Sequence, residues 1–311
     1  MASISRTSSP YVKIGHFSTI QLGRIRNMNT ATAVINIAAQ EKFLVLKDIL
    51  RPKLAEGLLV AFSGGVDSAF LIWAAEQERA RSGGKLAALT TLSESFSKAE
   101  RADAERFIKT HGISHFWRES RELLNPEYAI NDSNRCFHCK TELFNICHEA
   151  AVEHDLKWIA YGYNASDRGD VRPGHKAAVE HSILSPLAEA GLTKDDIRLL
   201  MRQNGLEMAD KPASPCLSSR LMTGVFITPR KLKDVEDFET ILREGGLRVF
   251  RVRLHEEGET KFLRLEVALD EMGLATQLRE KLVKEGLERG YKWVTLDLAG
   301  YRTGGGNRQA K

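Results

Sequence analysis

The stretch that most constrains the fold is Gly57–Ser68, GLLVAFSGGVDS. Its first half, Gly57–Phe62, is apolar without alternation, which reads as a parallel strand buried on both faces. The strand runs directly into Ser63-Gly64-Gly65-Val66-Asp67-Ser68. Two glycines after a buried strand let the backbone turn tightly, so several N–H groups and the positive end of the next helix face one point. Ser63 and Ser68 add hydroxyls there, and such a nest binds phosphate. The loop lacks the lysine of GxxxxGK(S/T) and the third glycine of a dinucleotide fingerprint, so neither a kinase-type P-loop nor a dinucleotide site is the natural reading. The plain alternative is a strand-to-helix turn with serine caps.

Around this stretch, strands and helices alternate. Helical spacing over Val34–Leu54 precedes the strand; an apolar helix (Ala69–Ala80), a strand (Lys85–Leu92), a polar helix (Lys98–His111) and a short strand (Ile113–Arg118) follow it. A helix over Thr141–His154 then leads to a strand (Lys157–Tyr163) and a polar loop (Asn164–Gly174). This rhythm predicts an α/β fold with a parallel sheet. From Ile227 the order changes to a helix (Pro229–Glu244), two strands (Leu247–Leu254, Lys261–Val267), a helix (Glu271–Glu288) and a strand (Tyr291–Leu298), a smaller α+β unit. The expected domains are 34–221 and 222–311, with 1–33 outside both and the Gly304–Asn307 tail a mobile end. The first forty residues hold no Asp or Glu but include Arg6, Lys13, Arg24 and Arg26. That fits a targeting segment, and equally a start upstream of a true initiator at Met28, which is the favoured reading.

With 311 residues the chain can fill two cores. No apolar run reaches the roughly 18 residues that span a bilayer, so no membrane partner is expected. A net charge of +4 admits an anionic ligand but is too weak to argue for nucleic acid. Four cysteines, at 136, 139, 147 and 216, make no secreted disulfide framework and suggest a reducing, cytoplasmic setting.

Three cysteines stand in unusual company. In NRCFHCK (Asn134–Lys140), Cys136 and Cys139 form a CxxC turn that serves as half a metal site, a redox pair or two packing thiols. Zinc would ask for a fourth ligand, which His138 or Cys147 could supply, although Cys147 in a predicted helix reads as a buried free thiol. In KPASPCLSSR (Lys211–Arg220), Pro212 and Pro215 stiffen the loop, so Cys216 is presented rather than held in a helix. Ser219 and Arg220 there suit a phosphate; alone, a single cysteine is more often a small buried hydrophobe. In ASDRGDVRPG (Ala165–Gly174), Asp167 and Asp170 suit Mg2+ or a ribose and Arg172 a phosphate, against the plain reading of a solvated turn. Arg251 and Arg253 alternate on a predicted strand and share a side, where they suit a substrate phosphate or form an exposed basic face.

SGGVDS resembles the pyrophosphate loop of the ATP pyrophosphatases, which cleave ATP between its α and β phosphates and transfer AMP to a substrate oxygen. The resemblance implies a doubly wound parallel sheet of the adenine nucleotide alpha hydrolase-like (PP-loop) type, with Mg2+ on the phosphates. It also implies ATP contacts at Ser63, Gly64, Gly65, Asp67, Ser68, Gly162 and Asn164. SGGVDS, NRCFHCK, GYNASDRGDVRPG, SPLAEAGLTKDDIR, KPASPCLSSR, RVRLH and LDLAGYRTGG together, over about residues 35–306, resemble the ATP-dependent sacrificial sulfur transferases called LarE. That family activates the carboxylates of pyridinium-3,5-biscarboxylic acid mononucleotide with ATP and replaces them with thiocarboxylates, for the nickel-pincer cofactor of lactate racemase. One branch gives up the sulfur of a single cysteine, matching Cys216. The other has three, matching Cys136, Cys139 and Cys216, and resembles a holder of a 4Fe–4S cluster with one iron open to extra sulfide. Glu239 matches an acidic position of the family and is expected to meet substrate or an arginine. A homo-oligomer is also implied; the sulfide donor is not. Related adenylating enzymes (a tRNA thiolase, an NAD synthetase-like amidotransferase) and a nucleotide-binding iron–sulfur sensor without turnover are the competing readings.

Overall fold

The computed structural model describes residues 30–169, 173–212 and 214–302. Residues 1–29 of the expected extension and the Gly304–Asn307 tail lie outside the described residues; helix α1 (Thr30–Glu56) takes in the rest of the extension. Strand β1 (Leu58–Ala61) follows at once, buried along its whole length. Then come α2 (Val66–Ser82), β2 (Leu86–Leu92), α3 (Lys98–His111), β3 (His115–Glu119), α4 (Arg135–Glu153) and β4 (Trp158–Tyr161). These strands form one parallel sheet in the order β3-β2-β1-β4, with Leu58 opposite both Leu86 and Trp158.

Because strand side chains alternate, β1 feeds two cores. Leu58 and Val60, with Phe62 beyond them, pack with α1, α2 and α3, and with α6 (Lys194–Gln203). Leu59 and Ala61 pack with α4 and α5 (Pro173–Glu180) on the other face. Helices thus cover both faces, as a parallel sheet requires. Among the described residues, no helix is long and apolar enough to cross a membrane.

The second sheet has β5 (Phe250–Glu257) antiparallel to β6 (Thr260–Val267), and β6 parallel to β7 (Trp293–Leu296). Helix α7 (Pro229–Glu244) supplies Leu232, Val235, Phe238 and Leu242 to its core, which also takes Tyr128, Leu217 and Leu221 from earlier in the chain.

Four local expectations shift, each for a visible reason. The helix expected from Thr141 begins at Arg135, because the Asp132 carboxylate accepts from the Asn134 amide (2.7 Å) and turns the chain early. The CxxC pair therefore sits in a helical first turn, not in a loop. The strand expected from Leu247 starts at Phe250, since Glu271 captures the amides of Arg248 and Val249 before they can join a ladder. The helix expected over Glu271–Glu288 breaks at Leu278, whose amide turns back to Ala275 and whose side chain crowds the open face of Gly245. Helix α6 went unpredicted although a reciprocal cap of Thr193 and Asp196 starts it.

Candidate functional site

At the carboxyl end of β1, Gly64 turns with φ +68°, a conformation that favours glycine, and leads into Gly65 at the start of α2. The Ser68 hydroxyl donates to the Gly65 carbonyl (3.0 Å) and accepts from the Ser63 amide (3.3 Å), closing the loop on itself. Gly162, just past β4, lies against the first turn of α2: a Cβ there would stand 2.7 Å from the Ser68 nitrogen. Asp67 gives one oxygen to Lys194 (2.6 Å), the first residue of α6. Its other oxygen, Oδ1, is buried and has no hydrogen-bond partner among the described residues. Burial pushes the Asp67 carboxyl above its ordinary pKa, with Lys194 opposing the shift and the charge of Asp167 adding to it. Asn164 and Asp167 cap a short turn, Ala165–Asp167, beside this carboxylate. Lys211 donates from the other side to the Gly64 carbonyl (3.1 Å) and pairs with Asp103 (2.9 Å).

Lys211 also opens the segment that carries Cys216, so that segment is tethered directly to the loop. Glu100, in the first turn of α3, strengthens the tie: its buried carboxyl, raised in pKa by desolvation, is opposed by a hydrogen bond from Ser214 and by Arg220. Cys216 precedes a short helical turn, Leu217–Arg220, and Leu217 donates its amide to Ser95 at the carboxyl end of β2 (2.8 Å).

Cys136 and Cys139, three apart in the first turn of α4, share one face of that helix. Burial lifts the Cys139 thiol well above its usual pKa, and Glu122 and Cys216 add to the rise. Burial likewise raises Cys216; Arg135 opposes the shift, while Cys136 and Glu122 increase it. The charge of Cys216 thus acts on Cys139, and that of Cys136 on Cys216. Behind them Glu122 accepts from Ser93 (2.8 Å), Ser95 (2.5 Å) and Tyr128 (3.1 Å), and Tyr128 meets the Ser218 hydroxyl at 2.6 Å. Cys147 stands apart: wholly buried in the core under β4, its thiol is pushed up to about 12.

On the far side of Cys216 lies a cluster of buried arginines. Arg220 pairs with Glu239 (2.9 Å) and donates to the Cys216 carbonyl (3.1 Å), the Ser219 hydroxyl (3.3 Å) and the Pro215 carbonyl. Arg253 pairs with Glu266 (3.1 Å) and donates to the Ser219 carbonyl (2.9 Å). Arg251 donates to the Phe250 carbonyl (2.7 Å) and lies 5.2 Å from the Tyr301 ring; burial, then the Arg220 charge, lowers its pKa.

No family model matches the chain. Among curated proteins, slr1717 of Synechocystis sp. is 36% identical over 252 residues, 80% of this chain and 91% of that protein, and is uncharacterized. The pyridinium-3,5-bisthiocarboxylic acid mononucleotide synthase of Lactiplantibacillus plantarum is 28% identical over 259 residues, 83% of this chain and 90% of its own. The chain belongs to one family with slr1717, and it is similar to the synthase over most of both lengths. The uncharacterized protein MJ0830 of Methanocaldococcus jannaschii is 25% identical over 277 residues, 85% of this chain and 98% of its own.

In this chain the expected residues fall into two neighbouring groups. Ser63, Gly64, Gly65, Asp67, Ser68, Gly162, Asn164 and Asp167 gather around the turn between β1 and α2. Ser219, Arg220, Glu239, Arg251 and Arg253 gather behind Cys216, and the three arginines and Glu239 are buried rather than on an exposed basic face. Asp170 and Arg172 lie outside the described residues. Lys194, Lys211, Arg135, Tyr128 and Glu122 were missed. The first three stand inside motifs already singled out, TKDDIR, KPASPCLSSR and NRCFHCK, where a cation beside an anion-binding loop or a thiol was the available signal. A cavity of about 470 Å³ opens at the opposite, amino end of the sheet, lined by Lys85, Ser114, Phe116 and His154, and holds none of these residues.

Among the described residues, no three His, Cys, Asp or Glu side chains come together tightly enough to hold one metal ion. Cys147 is eight residues beyond Cys139, about 12 Å along the helix, and His138 is turned to Glu127 (3.3 Å), so neither expected fourth zinc ligand joins the pair. Thiolates are the donors an iron–sulfur cluster takes, and the three cysteines here stand on two segments, the start of α4 and the Cys216 loop.

Proposed function

We propose that the chain is an ATP-dependent sulfur transferase that adenylates the carboxylates of pyridinium-3,5-biscarboxylic acid mononucleotide and converts them to thiocarboxylates for the nickel-pincer cofactor. The observation that carries this reading is Lys211: it begins the Cys216 segment and donates to Gly64 of the phosphate loop. ATP activation and sulfur delivery therefore share one site. The reading takes the first sheet as a doubly wound PP-loop domain over 34–221. It assigns 222–311 to substrate binding and to assembly as a homo-oligomer, and it places the protein in the cytoplasm with no nucleic acid partner.

Each group has a task. The turn at Gly64–Gly65 and the start of α2 present amides to the ATP phosphates, and Lys194 and Lys211 bring positive charge to the same point. Asp67, with one buried oxygen unpartnered, is suited to Mg2+ on those phosphates. The substrate carboxylate attacks the α phosphorus, pyrophosphate leaves, and an acyl-adenylate forms. Sulfide then attacks the acyl carbon and AMP departs with the bonding pair. Ser219, Arg220, Arg251 and Arg253 form the anion-binding wall for the substrate nucleotide's phosphate. Cys136, Cys139 and Cys216 would hold the 4Fe–4S cluster, which supplies an open iron for the added sulfide.

A second reading has one specific observation behind it, the lack of a ready single-metal triad among the described residues. In it the Cys216 sulfur itself attacks the acyl-adenylate, and elimination across its Cα–Cβ bond leaves dehydroalanine. Anaerobic incubation of iron-reconstituted protein with ATP, Mg2+ and the biscarboxylate mononucleotide separates them. Pyrophosphate and thiocarboxylate formed over many turnovers at constant protein mass support the cluster. One turnover with loss of the elements of hydrogen sulfide from Cys216 supports sacrifice. No pyrophosphate with this or any other carboxylate acceptor overturns both.

A further inference from the structure

Arg135 occupies a place that its own helix does not favour. It is the first residue of α4, at the positive end of the helix dipole, with no acidic residue in that first turn and no ion pair among the described residues. Its guanidinium is instead spread over three segments. Nη1 donates to Asn131 Oδ1 (2.6 Å) and to the Ser218 carbonyl (3.0 Å), and Nη2 points to Cys136 Sγ (3.7 Å). Ser218 lies two residues past Cys216, so one planar fork touches the CxxC turn and the Cys216 loop together.

The anchor of this fork is equally specific. Asn131 is only 1% exposed and holds φ 58°, an uncommon backbone for a non-glycine residue. Its Nδ2 donates to the carbonyls of Met222 (3.0 Å) and Val225 (3.1 Å), and its own carbonyl accepts from the Gly224 amide (2.9 Å). The segment after Cys216 is thus fastened to the turn before Cys136, and Arg135 is the member that reaches the thiols.

We propose that Arg135 is a positioning residue for sulfur transfer: its guanidinium fork holds the Cys136–Cys139 turn and the Cys216 loop face to face. This rests on reading the three thiols as one sulfur-handling site. A lysine could keep the charge but not the span, because one nitrogen cannot serve Asn131, Ser218 and Cys136 together.

The test uses the full-length, metal-free protein and dibromobimane, which bridges only two thiols within its short reach, with the bridged peptides identified by mass. In the parent, bridges from Cys216 to Cys136 or Cys139 are expected. In Arg135→Gln and Arg135→Lys their yield should fall at least fivefold, with an unchanged far-UV spectrum, and iron per chain after anaerobic reconstitution should fall in parallel. Full yield in both variants, or full recovery in Arg135→Lys alone, overturns the proposal. If Arg135→Gln does not fold, Arg135→Lys decides by the same yield. A parent that bridges its thiols but binds no iron defeats the cluster reading and leaves the role of Arg135 to be judged on the bridges alone.

Discussion

At the Ser63–Ser68 loop, one run of six residues makes most of the proposed phosphate cradle. Ser63 and Ser68 bond to each other's turn, two glycines supply the backbone, and side chains from elsewhere, Lys194 and Lys211, only close it. At the thiols, no run of chain is sufficient. Cys136 and Cys139 come with α4, Cys216 with a loop some 77 positions on, Glu122 and Tyr128 from the chain after β3, and Arg135 and Asn131 hold them in register. A local cradle survives small shifts of its surroundings because its parts move together. A site assembled from three segments depends on each fastening, so the two halves should fail in different ways.

The largest expected difference comes from Cys216→Ala. Thiocarboxylate formation should drop by on the order of 10³-fold or more, while pyrophosphate release under the same conditions drops by about tenfold or less. Parallel assays of the two products read the split. Equal loss of both would mean that the halves are one machine and that the comparison is mistaken.

That split also marks what was legible in the sequence. SGGVDS announced its geometry because the chemistry lies in consecutive residues. Helices α3 and α7 were read to their ends because Ser97 and Gly112, and Thr228 with Pro229, are strong boundary signals. Arg135 has no such signal: Asn134 makes no side-chain cap, so the sequence pattern shows this helix only from Thr141, six residues past its start. The burial of Arg251 and Arg253 was hidden for another reason. Their strand spacing is visible in sequence, but what permits burial is acid from other elements, Glu266 on β6 against Arg253 and Glu239 on α7 beside them.

A smaller effect sharpens the local half. Gly162→Ala would drive a methyl to 2.7 Å from the Ser68 nitrogen, a contact with backbone rather than with a movable side chain. The start of α2 must shift, costing about 1–3 kcal/mol of stability. ATP affinity, read by calorimetry, should weaken by roughly tenfold, or 1.4 kcal/mol. Bridging of the cysteines by dibromobimane should stay as in the parent. A loss of bridging would show that the loop positions the thiols through Lys211, and the two halves would then not be separable.

The smallest effect concerns acid. His115, at the start of β3, lies under the phosphate loop: Thr90 Oγ1 donates to the Phe62 carbonyl (2.7 Å) and so accepts from the His115 ring (Nε2, 2.9 Å). Burial lowers the His115 pKa from 6.5 to about 4, with Glu105 opposing the shift. Because the folded pKa is the lower one, the unfolded chain takes up its proton first. The stability is whole above about pH 6.5 and is lost as pH falls through about 4. With the ring partly open to water, the loss is about 1–2 kcal/mol rather than the full value of such a shift. Urea unfolding across this range measures it, and His115→Gln, which keeps a donor to Thr90 without a titrating ring, should flatten the curve. His255, on β5 and accepting from Arg264 of β6 (3.1 Å), is also lowered to about 4, by burial first and then by Arg264 and Arg253. The decisive comparison is therefore His115→Gln against His255→Gln. If only the second variant flattens the acid limb, the phosphate-loop half is the less acid-sensitive of the two, and the weakness at low pH belongs to the arginine side.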